Sequence, residues 1–250
     1  ITANILIDKT VPSMSSQIIM NYTNENRSGE SFSYQLPIKL NSKYGVLLVN
    51  KLSGYNADGD ILENIDDKVK QINLDVNQED KTVNQDITVV NNYENDITNI
   101  SFIGKLPNNG EETINNEKLR ATFGMQLLNN IQTTGKFAKI YYSEDINAAQ
   151  DSNTWVENIE DITKVKAFKI EVQDNKLEPG AILDVSTQLN IPANLEYNES
   201  TYISLTVSYD YLGSRMTNYS NILLTTESVD EQVEESTEEI VGDLSAQISA

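Results

Sequence analysis

Apolar and polar residues alternate along much of the chain with a period of two, which is typical of β-strands that bury one face. The clearest run covers residues 201–211. A second covers 183–191, where only Thr187 interrupts the apolar row and Pro192 ends it. The apolar residues of these two runs are Ile203, Leu205, Val207 and Tyr209, and Leu183, Val185, Leu189 and Ile191. Shorter runs of the same kind are Ile5 and Ile7, Ile18 and Met20, Ile87 and Val89, and Ala138, Ile140 and Tyr142. The pattern predicts half-buried antiparallel strands with polar side chains facing outward.

Turn-forming sequences separate these runs at the spacing of a β-sandwich. The clearest turns are residues 56–60, 107–110, 178–180 and 212–214. One stretch, 117–130, also has apolar residues at helical spacing, but residues 121–125 within it alternate as a strand does, and we favour a strand there. We therefore predict an all-β protein, built from immunoglobulin-like antiparallel β-sandwich units in tandem.

The alternation changes register near residues 64–71, which predicts a boundary between two units. We expect a short β-rich N-terminal unit over residues 1–68 and a larger immunoglobulin-like sandwich over residues 69–226. Residues 227–250 are interpreted as an acidic linker followed by the start of another repeat. The last seven residues resemble the first seven, which suggests a tandem array. The dense carboxylates of 227–239 favour a solvated segment with few contacts to the sandwich.

The charge of the chain excludes several classes of partner. There are 38 acidic and 18 basic residues, and the formal net charge is -20. Such a chain repels phosphate backbones and anionic membrane surfaces, so we expect neither nucleic acid nor a membrane as partner. No apolar run approaches the ~20 residues that a membrane span requires. No leader sequence opens the chain and no sorting signal closes it, so if the protein is exported, we expect the chain to be an internal part of it.

The chain contains no Cys and no His. Their absence excludes a Ser-His-Asp triad, a Cys nucleophile, a zinc site of the Cys/His kind, an internal thioester and any disulfide. A pair of carboxylates for glycoside hydrolysis remains compatible with the composition, but no pair stands out. We therefore predict a protein that is not an enzyme, with no catalytic, cofactor-binding or metal-binding residues assigned and no cofactor.

An ordered series of motifs resembles the conserved-repeat, immunoglobulin-like domains of Gram-positive, clostridial-type cell-surface and adhesin-like proteins. The resemblance covers about residues 69–226. Its motifs are ITVVNN at 87–92, ITNISFIGKLP at 97–107, YYSE at 141–144 with Trp155, ITKVKAFKI at 162–170, LEPG at 177–180, IPANL at 191–195, and the strand 202–211.

This resemblance implies an extracellular location, at the cell surface or in the cell wall. It also implies a role as a spacer module that projects other domains from the wall, with neighbouring repeats of the same polypeptide as partners. The alternative is an adhesin-type module that recognises a host protein or glycan through the loops at one end of the sandwich. A clustered outward aromatic or apolar patch would favour the binding module, and a uniformly polar surface would favour the spacer.

Two loops have oxygen-bearing residues at spacings similar to those of calcium loops. The first is residues 56–63, with Asn56, Asp58, Asp60 and Glu63; the second has Asp145, Asn147, Asp151 and Asn153. Neither follows the complete order of an EF-hand loop, and turns between strands are the favoured interpretation of both. Residues 106–110 are only superficially similar to a sortase signal and are interpreted as a turn.

Surface sandwiches of this type often carry a Lys–Asn isopeptide bond. The candidate residues are Lys9, Lys51 and Lys169 with Asn91 and Asn221, although solvated lysines on outer faces are the favoured interpretation. The aromatic residues Tyr142, Tyr209 and Trp155 are expected to pack in the core or between the sheets rather than to form a platform for sugars.

Overall fold

The computed structural model describes residues 14–23, 31–40, 45–55, 61–65, 69–76, 79, 81–114, 118–135 and 137–226. Helix within these ranges is limited to two 3₁₀ turns, Ile162–Lys164 and Gln173–Asn175. The strands are β1 (Met14–Thr23), β2 (Ser31–Leu40), β3 (Val46–Ser53), β4 (Ile61–Ile65), β5 (Val69–Leu74), β6 (Lys81–Asn91), β7 (Ile97–Lys105), β8 (Glu112–Ile114), β9 (Lys118–Arg120), β10 (Gln126–Leu127), β11 (Gln132–Gly135), β12 (Phe137–Ser143), β13 (Ala167–Val172), β14 (Lys176–Leu177), β15 (Ile182–Ile191), β16 (Ser200–Tyr211) and β17 (Ser214–Thr226).

Two sheets pack face to face as a sandwich. Sheet I has the order β10-β15-β6-β3-β4, with β11 also paired to β15; sheet II has the order β12-β13-β7-β16-β17-β5, with β14 also paired to β7. Their pairings are antiparallel except for β5, which lies parallel to β17. β1 pairs with β2, and β8 with β9, as two-stranded sheets. The chain crosses between the two sheets several times, for example from β6 to β7 and from β15 to β16. The prediction of an all-β sandwich is thus confirmed, and repetition of the unit in tandem stays a prediction.

The two longest predicted rows lie on the inner faces. The alternate apolar residues of β16 are all buried, as are those of β15, and both rows belong to one core cluster. A close approach between neighbouring strands supports this packing at Gly104 of β7, where a Cβ atom would lie 2.1 Å from Cζ of Phe168. Only glycine leaves room for that ring.

The polar face of β16 differs from the prediction. Ser204 was expected to face solvent, but it is 0% exposed, and its hydroxyl donates a hydrogen bond to Oδ1 of the buried Asn221 (2.7 Å). The inner face of sheet I is not wholly apolar either. Thr187 on β15 lies opposite Gln85 on β6, and Asn50 on β3, which lies opposite Ile87, is the diagonal neighbour of Gln85. All three are buried and are linked by side-chain hydrogen bonds between apolar neighbours, and we call them the buried polar row.

Residues 118–130 contain no helix, in agreement with the preference for strand. Regular pairing in this segment is limited to β9 and β10. Ala121, Phe123 and Met125 lie between these strands and are buried, while the residues between them are partly exposed. The alternation therefore predicted burial correctly, in a segment that mostly lacks ladder hydrogen bonds.

The change of register at 64–71 coincides with the passage of the chain from β4 in sheet I to β5 in sheet II. On the N-terminal side, β3 pairs with β6 over residues 46–53, so strands on both sides of the expected boundary share sheet I. The predictions for Ile5, Ile7, Lys9, residues 56–60 and residues 227–250 lie outside the described residues.

Candidate binding surfaces

One end of the sandwich carries an aromatic cluster, which we call the hairpin end because the β16–β17 turn lies there. The Tyr93 ring stacks on the Tyr211 ring with centroids 3.6 Å apart and planes 12° apart. Tyr93 also lies 6.2 Å from Tyr209, and the two hydroxyl oxygens are 3.5 Å apart. Tyr209 itself is 2% exposed, which confirms its expected place in the core.

The turn at this end displays a large apolar side chain. Leu212 and Gly213 connect the strands with φ angles of 48° and 82°, the sign that a two-residue hairpin turn of the I′ kind requires. Asn, Asp or Gly are the residues favoured at such positions, and a bulky apolar residue there is uncommon. Leu212 is 76% exposed and Met216 is 41% exposed. The hairpin end therefore presents aromatic and apolar groups of the kind that anchor protein interfaces.

A polar network holds the hairpin in place beside β7. Asp210 accepts hydrogen bonds from Nδ2 of Asn99 (3.1 Å) and from the guanidinium of Arg215 (3.2 Å). The Arg215 guanidinium also donates to the carbonyl oxygen of Asn99. The Asn99 amide and then Arg215 lower the pKa of Asp210 from its ordinary value.

The outer face of sheet II carries a second aromatic cluster. The Lys169 ammonium lies 4.6 Å from the centroid of the Tyr141 ring and 5.5 Å from that of Trp155, distances at which cation–π attraction operates. Trp155 was expected in the core or between the sheets, and that prediction is wrong, because Trp155 lies on this outer face and is partly exposed. Tyr142 does lie in the core, and its hydroxyl accepts a hydrogen bond from the backbone N–H of Ile131 (3.2 Å).

These groups hold a loop against the sheet. Trp155 Nε1 donates to the carbonyl oxygen of Ala149 (2.6 Å), and Lys169 Nζ donates to that of Gln150 (3.2 Å). Beneath the loop, Ile146 and Ala148 are 6% and 2% exposed. The lysine and the indole thus fasten residues 144–155 to the sheet, and a groove of about 460 Å³ remains beside Lys169.

The second candidate calcium loop lies in this fastened segment. Asp145 Oδ1 accepts a hydrogen bond from the backbone N–H of Asn147 (2.9 Å), a local turn that agrees with the favoured interpretation. Within the described ranges, no three acidic side chains come close enough to hold a metal ion. Glu63 of the first loop forms a salt bridge with Lys51 (3.4 Å).

The described isopeptide candidates have other partners. Lys51 pairs with Glu63, and Lys169 is held by the aromatic rings and the loop. Asn91 Nδ2 donates to two backbone carbonyl oxygens, those of Asn95 (3.0 Å) and Leu177 (2.8 Å), so it serves as a turn anchor.

The outer face of sheet I has an open polar groove of about 630 Å³ at the end remote from the hairpin turn. Amide side chains dominate its lining, and a cross-strand ladder organises them. Gln188 Nε2 donates to Asn84 Oδ1 (3.2 Å), and Ser186 Oγ donates to Asp86 Oδ1 (2.7 Å). Without an aromatic ring in its lining, the groove lacks the stacking surface expected of a sugar platform.

The sequence contained partial signals for these surfaces. A leucine in the turn 212–214 is unusual for a two-residue hairpin, and that signal was available. Nothing in the alternation places Tyr93 against Tyr211, because they meet through the crossing of the chain between sheets. Trp155 lies in an irregular segment, where no periodicity indicates the direction of a side chain.

Comparison with known proteins gives only distant structural likenesses. No family model matches the chain. No curated protein matches it. Among solved structures, a protein described as membrane-anchored, from Corynebacterium diphtheriae, is 8% identical over 90% of this chain and 46% of its own, with a TM-score of 0.38. A family 123 glycoside hydrolase from Clostridium perfringens is 13% identical over 72% of this chain and 28% of its own, with a TM-score of 0.27.

A structure named BspA_C_WT is 10% identical over 77% of this chain and 55% of its own, with a TM-score of 0.29. The chain thus spans less than two thirds of each of these structures, and at such identities and TM-scores they do not identify a function. Among the described residues, no helix is long and apolar enough to cross a membrane.

Proposed function

We propose that this chain is a non-catalytic structural spacer of a bacterial cell-surface protein, which holds other domains away from the wall. The observation that carries the proposal is the position of the first and last strands of the sandwich. β3 begins at Val46, whose carbonyl oxygen accepts a hydrogen bond from Nδ2 of Asn218 on β17 (2.8 Å). β17 then continues for eight residues to Thr226, which at about 3.3 Å per residue is roughly 26 Å. β3 therefore begins at the hairpin end and β17 finishes at the opposite end, as a stalk requires.

The end of β17 is anchored where the chain leaves the sandwich. Thr226 Oγ1 accepts a hydrogen bond from the backbone N–H of Glu199 (2.8 Å) and donates one to the carbonyl oxygen of Glu196 (2.7 Å). β17 is also paired on both sides, with β16 from Ser214 to Thr225 and with β5 over the six residues 221–226. Tension along the stalk would load these ladders lengthwise, so many hydrogen bonds would have to break together.

Single-molecule pulling tests the proposal. Because the chain has no Cys, handles can be attached at two introduced cysteines without side reactions. One variant carries them at Gly45 and residue 227, so that force runs along β3 and β17. The control carries them at Asn198 and residue 227, which pulls apart the open end of the β16–β17 hairpin. We expect a several-fold higher unfolding force for the first variant. An equal or lower force would contradict the spacer proposal.

A binding module is the second candidate, favoured by the exposed Leu212 and the neighbouring tyrosine stack at the hairpin end. Both candidate functions assume a location at the bacterial cell surface, and the sequence resemblance is the basis of that assumption. A glycan array and a panel of immobilised extracellular-matrix proteins are the probes. Binding that L212D abolishes and L128D leaves intact would support this candidate, since Leu128 is also partly exposed but lies elsewhere. Absence of binding to every probe would count against it.

A further inference from the structure

The outer face of sheet I changes from apolar to polar along its length. Its cross-strand rows join β3, β6 and β15 in register. The row nearest the hairpin end is apolar, and the row farthest from it is polar: Leu47, Val90 and Ile182 in the first, and Ser53, Asn84 and Gln188 in the last. The polar groove occupies the second region.

Three apolar side chains near the hairpin end of this outer face are buried although they face away from the core. Leu47, Val49 and Val90 are 6%, 1% and 0% exposed, and they form a cluster of their own, separate from the main core, with Ile182 packed against it. We call these four residues the outer apolar patch. Since alternate residues of the same strands fill the interior, burial of this patch requires a further layer on the outside of sheet I.

The β1–β2 hairpin has the matching character. Its antiparallel register places Ile18 opposite Leu36, Met20 opposite Tyr34, and Tyr22 opposite Phe32. By the period of two, these positions share one face with those of Met14, Ile38 and Leu40, and Ser16 is the one polar position on that face. The other face holds mainly Ser, Gln, Asn, Thr and Lys positions. A two-stranded ribbon is not stable alone in water, so such a face requires a partner.

The connection between the two elements is short. Five residues, 41–45, separate the end of β2 from the start of β3, so the Cα atoms of Leu40 and Val46 are at most about 22 Å apart. β3 begins beside the outer apolar patch, because Leu47 is its second residue. The positions of Ile38 and Leu40, at the tethered end of the hairpin, are therefore within reach of the patch.

We propose that the β1–β2 hairpin docks its apolar face on the outer apolar patch and forms a third layer over sheet I. We place the docking site at the patch rather than at the hairpin end, because the patch residues are already covered, whereas Leu212 is 76% exposed. Docking fixes the direction in which the preceding chain leaves the sandwich. It holds the hairpin rigidly against the sandwich, whether the sandwich serves as a spacer or as a binding module.

Methyl NMR on the full chain tests this docking. The readout is the relaxation that a soluble paramagnetic agent causes at the methyl groups of Val49 and Val90. We expect both to be shielded in the wild type and to become accessible, with a several-fold rise in relaxation, in the double variant I38D/L40D. The control K39D changes the intervening position on the other face and should leave the shielding unchanged.

Two further measurements keep the result decisive. The Val83 methyl groups, 0% exposed in the main core, should stay shielded in every variant and show that the sandwich is folded. Continued shielding of Val49 and Val90 in I38D/L40D would overturn the proposal. So would shielding in the wild type that is lost on dilution, because a second copy would then be the cover. Neither result depends on the pulling experiment.

Discussion

Asn218 of β17 donates a hydrogen bond to the carbonyl oxygen of Val46, the first residue of β3, and its Oδ1 accepts one from the Tyr209 hydroxyl (3.2 Å). One amide thereby ties the first strand of the sandwich to the last. We expect N218A to lower the free energy of unfolding by about 1–3 kcal/mol, because it removes the hydrogen bond to the Val46 carbonyl oxygen and the one from the Tyr209 hydroxyl. Urea denaturation measures this change.

The matched control is N190A, which removes an amide from a half-buried position on β15. It should have a clearly smaller effect. Equal losses of stability in N218A and N190A would show that the connection between β3 and β17 contributes no more to the free energy of unfolding than an ordinary half-buried amide does.

The buried polar row offers a test in which two opposite changes are compared. Gln85 Nε2 donates to Asn50 Oδ1 (3.0 Å), and the Thr187 hydroxyl donates to Gln85 Oε1 (3.2 Å). Q85L should cost about 1–3 kcal/mol for each partner that it leaves unsatisfied. The triple variant N50L/Q85L/T187V should recover most of that loss, because it replaces all three polar groups by apolar ones. Thermal and urea unfolding of both variants decide the point.

The row also contains an unsatisfied group. Asn50 Nδ2 is buried without a hydrogen-bond acceptor in the structure, although Asn50 is 0% exposed. If the triple variant proved less stable than Q85L, the buried polar row would stabilise the fold by more than its satisfied hydrogen bonds. The expected recovery of stability would then be wrong.

Alternation predicted β15 and β16 well because each has one inner face that the core forces to be apolar. It could not predict that Ser204 is buried, since that depends on what covers the outer face. The run of four apolar residues 46–49 carried a signal for covering on both faces, because buried strands read as continuous apolar runs. The periodicity of one strand predicts which residues share a face. It does not predict which other part of the protein packs against that face.

The candidate surfaces were less predictable for the same reason. Lys169 is a candidate isopeptide residue in the sequence, but the rings that it contacts, Tyr141 and Trp155, lie 28 and 14 residues earlier in the chain. Contacts between such distant residues depend on the order of strands in the sheet and on the path of the loops. Neither can be predicted from the alternation pattern of one sequence.

Lys169 and the single tryptophan allow a direct test of the fastened loop. K169M keeps the aliphatic stem and removes the charge that binds the Gln150 carbonyl oxygen. We expect faster hydrogen exchange in residues 144–155 and a shift of the Trp155 emission to longer wavelength, because the indole becomes more hydrated. K164M, in an exposed 3₁₀ turn, is the control and should alter neither signal. Unchanged exchange and emission in K169M would mean that the loop is held by Ile146 and Ala148 alone.

Asp210 gives the hairpin end a defined pH dependence. Its pKa is lowered from the ordinary value of 3.8 by the hydrogen bond from Asn99 and then by Arg215. A lowered folded-state pKa means that folding favours the carboxylate. The associated stabilisation is therefore fully present above pH 3.8 and is lost as the pH falls through the lower, folded-state value.

Carboxyl-carbon NMR titration measures the Asp210 pKa directly. N99A should raise it toward 3.8, because the variant lacks the side-chain hydrogen bond that lowers this pKa most, and R215M should raise it by less. The control N95A alters an exposed amide in the loop before β7 and should leave the value in place. If N99A left the Asp210 pKa unchanged, the amide would not be supporting the carboxylate, and the network that positions the Leu212 turn would rest on Arg215 instead.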